Sequence, residues 1–145
     1  MSKTILVPID GSTPAWDALD HAVATFEGDR IVVLHVVDPA EGVLARSEVG
    51  YYEAEVFERA IEHGEELCQQ ARKRLEESGQ IGRISLETVV EQGRPAKTIV
   101  EYAEEHDVDH VVIGSHGRQG VSRILLGSVA ERVTRRSPVP VTIVR

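Results

Sequence analysis

Short, almost wholly apolar segments alternate along this chain with longer amphipathic ones, and this alternation limits the possible folds more than any other feature. The segment IVVLHVV at residues 31–37 is apolar at nearly every position. A strand of that composition is typical of a parallel sheet whose two faces are both covered. Four further segments predict strands, at residues 4–9, 84–90, 108–113 and 139–144, and the one at 84–90 does so by its alternation of apolar and polar residues.

Amphipathic segments between these strands predict helices. Either Ser12 or Thr13 is the expected N-cap of the first, because Pro14 follows in its first turn. Three more helices are predicted after a loop at residues 38–51, namely about 52–77, from Pro95 onward, and 129–135. The order βαβαβαβαβ predicts one α/β domain over residues 1–145, with right-handed crossovers and helices on both faces of the sheet.

Composition argues against several classes of partner and location. The 145 residues carry 24 acidic against 16 basic side chains, a net charge of −8, which disfavours a nucleic-acid or anionic-membrane surface. No apolar run approaches the ~20 residues that cross a bilayer. The opening MSKTILVPID turns acidic before a signal-like region develops. The single cysteine, Cys68, fits a reducing compartment, so a cytoplasmic location is expected.

A glycine-rich segment follows the fourth predicted strand. Gly114 and Gly117 are followed, after nine intervening residues, by Gly127 and Ser128. Glycine lacks the Cβ that would hold a phosphate away from backbone amides. Ser128 is the expected N-cap of the last helix, with Glu131 completing a capping box, and a helix N-terminus suits phosphate. The spacing therefore predicts a nucleotide site, and the alternative is that these glycines serve turn geometry alone.

Asp10 comes at the end of the first predicted strand. In open α/β sheets ligands bind beyond the carboxyl ends of the strands, so the first and fourth strand ends are expected to share one crevice. Asp10 would there bond ribose hydroxyls or hold Mg²⁺ together with phosphates. The alternative is a turn aspartate that bonds its own backbone.

Five segments together resemble one known family, and they span essentially the whole chain: ILVPIDGS, IVVLHVV, EQGRPAKTIV, VVIGSHGRQGVSRILLGSVAERV and SPVPVTIV. They are similar to the universal stress proteins, and the glycine spacing resembles that of the ATP-binding subgroup. The resemblance implies a doubly wound, Rossmann-like open sheet of the nucleotide-binding α-hydrolase type, with five parallel strands in the order 3-2-1-4-5. It also implies a homodimer that pairs through the last strand, from Val139 to Val144.

The same resemblance implies a site for an adenine nucleotide, ATP with or without Mg²⁺. Asp10 would be the metal ligand as well as a nucleotide contact. The residues implied to surround the nucleotide are Pro8, Ile9, Asp10 and Val37 at the adenine and ribose end, and Gly114, Ser115, Gly117, Gly127, Ser128 and Val129 around ribose and phosphates. ATP binders of the family often have a hydroxyl two positions after the motif serine, where this chain has Ala130.

Three functions remain open at this point. The first is a cytoplasmic, ATP-binding stress-response protein, a homodimeric switch or protective binding module whose segments 38–51 and 115–126 are ordered by nucleotide. The second is a slow ATPase or nucleotidyl-type transferase, which is disfavoured because phosphoryl transfer needs a charge clamp and a water-positioning group, and no catalytic residue is evident. The third is an interaction domain with a vestigial pocket.

Overall fold

Each of the five apolar segments forms a strand in the computed structural model, which describes residues 2–39, 50–115 and 126–145. The strands are β1 (Thr4–Pro8), β2 (Arg30–Val37), β3 (Ser85–Gln92), β4 (His110–Gly114) and β5 (Val141–Val144). All neighbouring pairs are parallel, and the strand order is β3-β2-β1-β4-β5. The predicted parallel sheet and its order 3-2-1-4-5 are therefore confirmed.

Helices cover both faces of this sheet, as predicted. They are α1 (Thr13–Thr25), α2 (Gly50–Glu77), α3 (Pro95–Glu105) and α4 (Ser128–Arg136). One buried cluster joins α1 and α2 to the sheet, and a second joins α3 and α4 to its other face. Successive strand residues point to opposite faces, so Ile5 and Val7 enter the first cluster and Leu6 enters the second. This burial on both faces explains why the central strands are apolar at nearly every position.

The last strand is shorter than predicted, because it begins at Val141 and not at Val139. The hydroxyl of Ser137 donates to the carbonyl of Val139 at 2.7 Å and accepts from its N–H at 3.1 Å. Pro140 has no N–H to offer a ladder. A local turn therefore keeps the first two predicted residues out of the strand.

The predicted loop and long helix also shift slightly. Helix α2 begins at Gly50, two residues before the predicted start at Tyr52. Residues 40–49 of the predicted loop lie outside the described part of the chain. None of the described helices is both long and apolar enough to cross a membrane.

Candidate functional site

Three adjacent strands bring their carboxyl ends to one edge of the sheet, in the spatial order β2, β1, β4. Pro8 is the buried last residue of β1, and Val37, 4% exposed, is the last residue of β2. Gly114 is the last residue of β4. The topology therefore gathers the strand-end residues singled out from the sequence along this carboxyl edge, where α/β sheets bind ligands.

The chain leaves β1 through a short bonded turn. Ile9 donates its N–H to the carbonyl of Leu34 at 2.8 Å, and its own carbonyl lies 2.8 Å from Nδ1 of His35. Asp10 follows, half-buried, and its Oδ1 accepts the N–H of Ser12 at 2.9 Å. One carboxylate oxygen of Asp10 is thus engaged in the turn, as in the backbone-bonding alternative.

Helix α1 begins directly after this turn and packs tightly on the edge. Ser12 is its N-cap, as one of the two predicted candidates, and its hydroxyl accepts from the N–H of Ala15 at 3.4 Å. Gly114 lies against this first turn, since a Cβ on it would sit 2.7 Å from the carbonyl carbon of Pro14 and 2.9 Å from the nitrogen of Ala15. Glycine at position 114 is therefore needed for the close approach of α1 to β4.

A backbone hydrogen bond joins the two halves of the glycine motif. The N–H of Gly127 donates to the carbonyl of Ser115 at 2.5 Å. Ser115 is only 6% exposed and is itself anchored to the sheet, because its N–H donates to the carbonyl of Val144 at 2.8 Å. Gly117 lies outside the described residues. The motif is thus closed in space at the carboxyl end of β4.

The predicted capping of α4 was wrong by one residue. Gly127 is the N-cap, with φ −61° and ψ 155°, and no side chain within residues 2–39, 50–115 and 126–145 caps the helix. Its carbonyl accepts the first intrahelical bond, from the N–H of Glu131 at 2.9 Å, which places Ser128 inside the first turn. The Glu131 carboxylate pairs with Arg135 at 2.7 Å, so the predicted capping box does not form.

The remaining residues of this first turn divide between solvent and core. Ser128 is exposed, whereas Val129 is partly buried against the second cluster. Ala130 is 2% exposed and belongs to that cluster. Position 130 therefore serves packing in this chain, and Ser128 is the exposed residue of the turn beside the half-buried Gly127.

The comparisons with known proteins agree with this architecture. The model of the universal stress protein family matches residues 1–145. The chain belongs to the universal stress protein family. Universal stress protein MJ0531 of Methanocaldococcus jannaschii is 36% identical over 99% of this chain and 82% of its own length. Universal stress protein MJ0577 of the same organism is 33% identical, over 100% of this chain and 96% of its own.

Solved structures give the same result. A structure of MJ0577 matches with a TM-score of 0.81 at 34% identity, covering 99% of this chain and 96% of that one. A universal stress protein in complex with cAMP matches with a TM-score of 0.64 at 25% identity, covering 99% and 97%. The fold of this universal stress protein is therefore shared with a relative that binds an adenine nucleotide.

The described residues of this universal stress protein offer no ready-made cluster of metal ligands. Within the described ranges no group of three or more His, Cys, Asp or Glu side chains is placed to hold one. Mg²⁺ at nucleotide sites commonly takes one or two carboxylates and completes its shell with phosphate oxygens and waters. Asp10 fits that mode as a single carboxylate, with phosphates supplying further oxygens.

Cys68 is a buried residue of helix α2 in this universal stress protein. It faces a shallow cavity of about 370 Å³ between α2 and β3, lined by Glu65, Cys68, Gln69, Arg72, Thr88 and Val90. Burial raises the pKa of the Cys68 thiol, and the nearby Glu65 carboxylate raises it further. Because the thiolate is the reactive form, these surroundings suit a packing role for Cys68.

Sequence reasoning missed one residue at this edge, His35. It lies in the middle of the segment IVVLHVV, which we interpreted only as a buried strand. The signal was present, because His35 is the single polar residue of that segment. Its partner is a carbonyl 26 positions away, and only the pairing of β1 with β2 brings the two together.

Proposed function

We propose that this single-domain universal stress protein, spanning residues 1–145, binds an adenine nucleotide at the carboxyl edge of its sheet. The nucleotide is ATP, with or without Mg²⁺. The protein acts in the cytoplasm in the stress response, as a homodimeric switch or protective binding module whose state depends on the bound nucleotide.

The observation that carries this proposal is the bond between Gly127 N–H and the carbonyl of Ser115. It brings both halves of the glycine motif together where α4 begins. No side chain of the described residues caps the first turn of α4, and an anion would supply the partners that the first N–H groups of a helix lack. A phosphate there would also gain from the positive end of the helix dipole.

The roles proposed for the remaining residues are those that the family resemblance implies. Pro8, Ile9 and Asp10 would meet the adenine and ribose, and Val37 would form one wall of the adenine site. The phosphates would lie beside the motif residues Gly114, Ser115, Gly117, Gly127, Ser128 and Val129. Asp10 would hold Mg²⁺ when the metal enters with the phosphates.

A relative supports the class of ligand. The solved universal stress protein that shares this fold over 99% of the chain is in complex with cAMP. Cyclic AMP has the adenine, ribose and phosphate of ATP, so the shared chemistry is that of an adenine nucleotide.

Thermal unfolding with and without ATP·Mg²⁺ tests this proposal. Ligand at a hundred times its dissociation constant should stabilise the fold by about 2.7 kcal/mol. For a domain of this size the midpoint should rise by roughly 5–10 °C. GTP·Mg²⁺ at the same concentration is the matched control, because it presents the same phosphates with a different base.

The other outcomes are equally informative. No shift with ATP, AMP or cAMP, together with no nucleotide in an acid extract of the purified protein, would favour an interaction domain with a vestigial pocket. A shift accompanied by steady release of phosphate would favour the slow ATPase. A shift with cAMP alone would contradict ATP as the ligand while keeping an adenine nucleotide.

The proposed dimer would form through the last strand, from Val139 to Val144. Strand β5 lies at the edge of the sheet and pairs with β4 on one side, and all four of its residues are half-buried. An apolar edge strand of this kind favours pairing with a second chain. The other edge strand, β3, carries Glu87 and Glu91, which make it less suited to pairing with a copy of itself.

Val141→Arg should therefore convert the dimer to monomer in sedimentation velocity. The matched control is Val89→Arg on β3, since Val89 is also a partly buried residue packed on the second cluster. An unaltered sedimentation profile for Val141→Arg would contradict a β5 interface. Dissociation of the Val89→Arg protein would place the interface at the opposite edge.

A further inference from the structure

His35 is a buried polar residue, 8% exposed, near the carboxyl end of β2. Its Nδ1 lies 2.8 Å from the carbonyl oxygen of Ile9. A carbonyl oxygen only accepts hydrogen bonds, so Nδ1 carries the proton and donates it. The histidine therefore ties the residue that follows β1 to the neighbouring strand.

This bond lies where β1 stops following its neighbour. The register pairs Pro8 with Leu34, and the N–H of Ile9 still donates to the carbonyl of Leu34. The carbonyl of Ile9, one peptide further, accepts its bond from the side chain of His35. Asp10 then turns away from the sheet, and Gly11 adopts a φ of +85°, a conformation that favours glycine.

Helix α2 holds the imidazole of His35 in place from above. A Cβ on Gly64 would lie 2.7 Å from Cδ2 of His35 and 3.3 Å from Cγ1 of Val90. The exposed ring of His63 stands edge-on to that of His35, with 6.3 Å between the centroids. Close cover by glycine backbone leaves the His35 ring little room to rotate away from Ile9.

Two further hydrogen bonds follow that of His35 along the chain, in the turn that leads into α1. Asp10 accepts from the N–H of Ser12, and Ser12 caps α1 by accepting from Ala15. The hydrogen bond from His35 to the Ile9 carbonyl therefore fixes the residue that precedes this turn. The two later bonds, at Ser12 and Ala15, carry the chain into the first turn of α1. Asp10, the carboxylate proposed to meet ribose or Mg²⁺, lies within that turn.

We infer that His35 is a positioning residue of the nucleotide site, whose Nδ1–H fixes the Ile9 carbonyl and thereby the backbone that presents Asp10 to the ligand. The inference rests on the proposed function. It assigns His35 no contact with the nucleotide, because its effect passes through Ile9.

Two substitutions separate positioning from packing. His35→Leu keeps a side chain of similar volume but removes the donor, and it leaves the Ile9 carbonyl without that bond. His35→Asn removes more volume but retains an N–H at a position close to that of Nδ1. If packing alone mattered, asparagine would be the more damaging change, whereas a positioning role predicts the reverse for nucleotide affinity.

Titration calorimetry with ATP·Mg²⁺, at a temperature where every variant is folded, measures the effect. His35→Leu should weaken binding roughly tenfold, which is the scale of one lost hydrogen bond. His35→Asn should stay within about threefold of the unsubstituted protein. Hydrogen exchange adds a readout that needs no ligand, since the Ser12 amide should exchange faster in His35→Leu and keep its protection in His35→Asn.

His110 provides the matched control. Its Nε2 forms a 2.7 Å bond with the hydroxyl of Thr142, but it is the first residue of β4 and lies at the amino edge of the sheet. His110→Leu also removes a histidine hydrogen bond, and it should leave both ATP·Mg²⁺ affinity and Ser12 exchange unchanged.

The possible results point to different conclusions. Unchanged affinity and unchanged Ser12 exchange in His35→Leu would overturn the positioning role, as would an asparagine variant that binds as weakly as the leucine variant. Lack of ATP·Mg²⁺ binding by the unsubstituted protein would instead overturn the proposed function. Weakened binding in His35→Leu, with near-normal binding in His35→Asn and His110→Leu, is the expected result.

Discussion

Helices α1 and α4 both begin at the carboxyl edge of the sheet, but the N–H groups of their first turns differ in how they are capped. At α1, the Ser12 hydroxyl caps the helix and Gly114 lies against the backbone of Pro14 and Ala15. At α4, the N-cap is Gly127, no side chain in the described ranges caps the helix, and Ser128 is exposed. One N-terminus is capped by a side chain, and the other has no such cap among the described residues.

This difference indicates which helix would receive the phosphates. The first four N–H groups of any helix lack intrahelical partners and need a side chain, water or a ligand. The α1 turn has a serine cap and tight contact with β4, so a phosphate has little to gain there. The first turn of α4 lies beside the glycine motif, and in the proposed complex a phosphate would accept hydrogen bonds from its N–H groups.

The largest expected effect is on ligand binding at the N-terminus of α4. Gly127→Val should weaken ATP·Mg²⁺ binding more than a hundredfold, because a side chain would occupy the space through which the phosphates approach. A hundredfold change in Kd corresponds to about 2.7 kcal/mol of binding free energy. The φ of −61° and ψ of 155° are open to any residue, so the fold should survive. Titration calorimetry measures the affinity, and circular dichroism checks the fold.

Gly82→Val is the matched control for that experiment, since a Cβ at Gly82 meets nothing within 4 Å. It should leave the affinity unchanged. If Gly127→Val also binds normally, the glycine motif is removed from the site and the comparison between the two helices loses its functional meaning.

A substitution against the first turn of α1 should lower the free energy of unfolding. Gly114→Ala places a methyl group against the backbone of Pro14 and Ala15, which cannot move without shifting α1. Overpacking of this kind costs about 1–3 kcal/mol, and urea unfolding would measure the loss. Gly82→Ala should change stability by less than about 0.5 kcal/mol. An equally stable Gly114→Ala protein would show that α1 is not held closely on β4.

The smallest effect compares the two serines. Ser12→Ala removes the cap of α1 and should cost about 1 kcal/mol in the free energy of unfolding. Ser128→Ala should cost much less, because Ser128 lies inside the first turn and Gly127 is the N-cap. Urea titrations of the two variants, side by side, give the difference. Equal losses would mean that Ser128 also acts as a cap, as the sequence predicted.

The glycine motif shows how far a pattern can be interpreted. Its spacing predicted a nucleotide site, and the Ser115–Gly127 bond shows that the two halves of the motif meet. The reason for glycine at position 114 was not predictable, since it depends on how closely α1 approaches β4. Two separate parts of the chain meet there, and no local pattern records their distance.

The N-caps show how closely the sequence predicts where a helix begins. Ser12 was among the predicted caps and is confirmed, because Pro14 in the first turn leaves few places for the helix to start. Gly127 and Ser128 are both acceptable caps. Which of the two serves depends on the carbonyl that accepts the first intrahelical bond, and the tie between Gly127 and Ser115 decides it.

The sequence by itself determined the strands, the helices and the family, because hydrophobic periodicity and motif spacing are properties of neighbouring residues. Only the tertiary structure decided that His35 would bond Ile9, that Gly114 would lie against the first turn of α1, and that α4 would have Gly127 as its N-cap. Each of these depends on a contact between residues far apart in the chain. Such contacts exist only once the sheet has set the distance and direction between its strands and the helices packed on them.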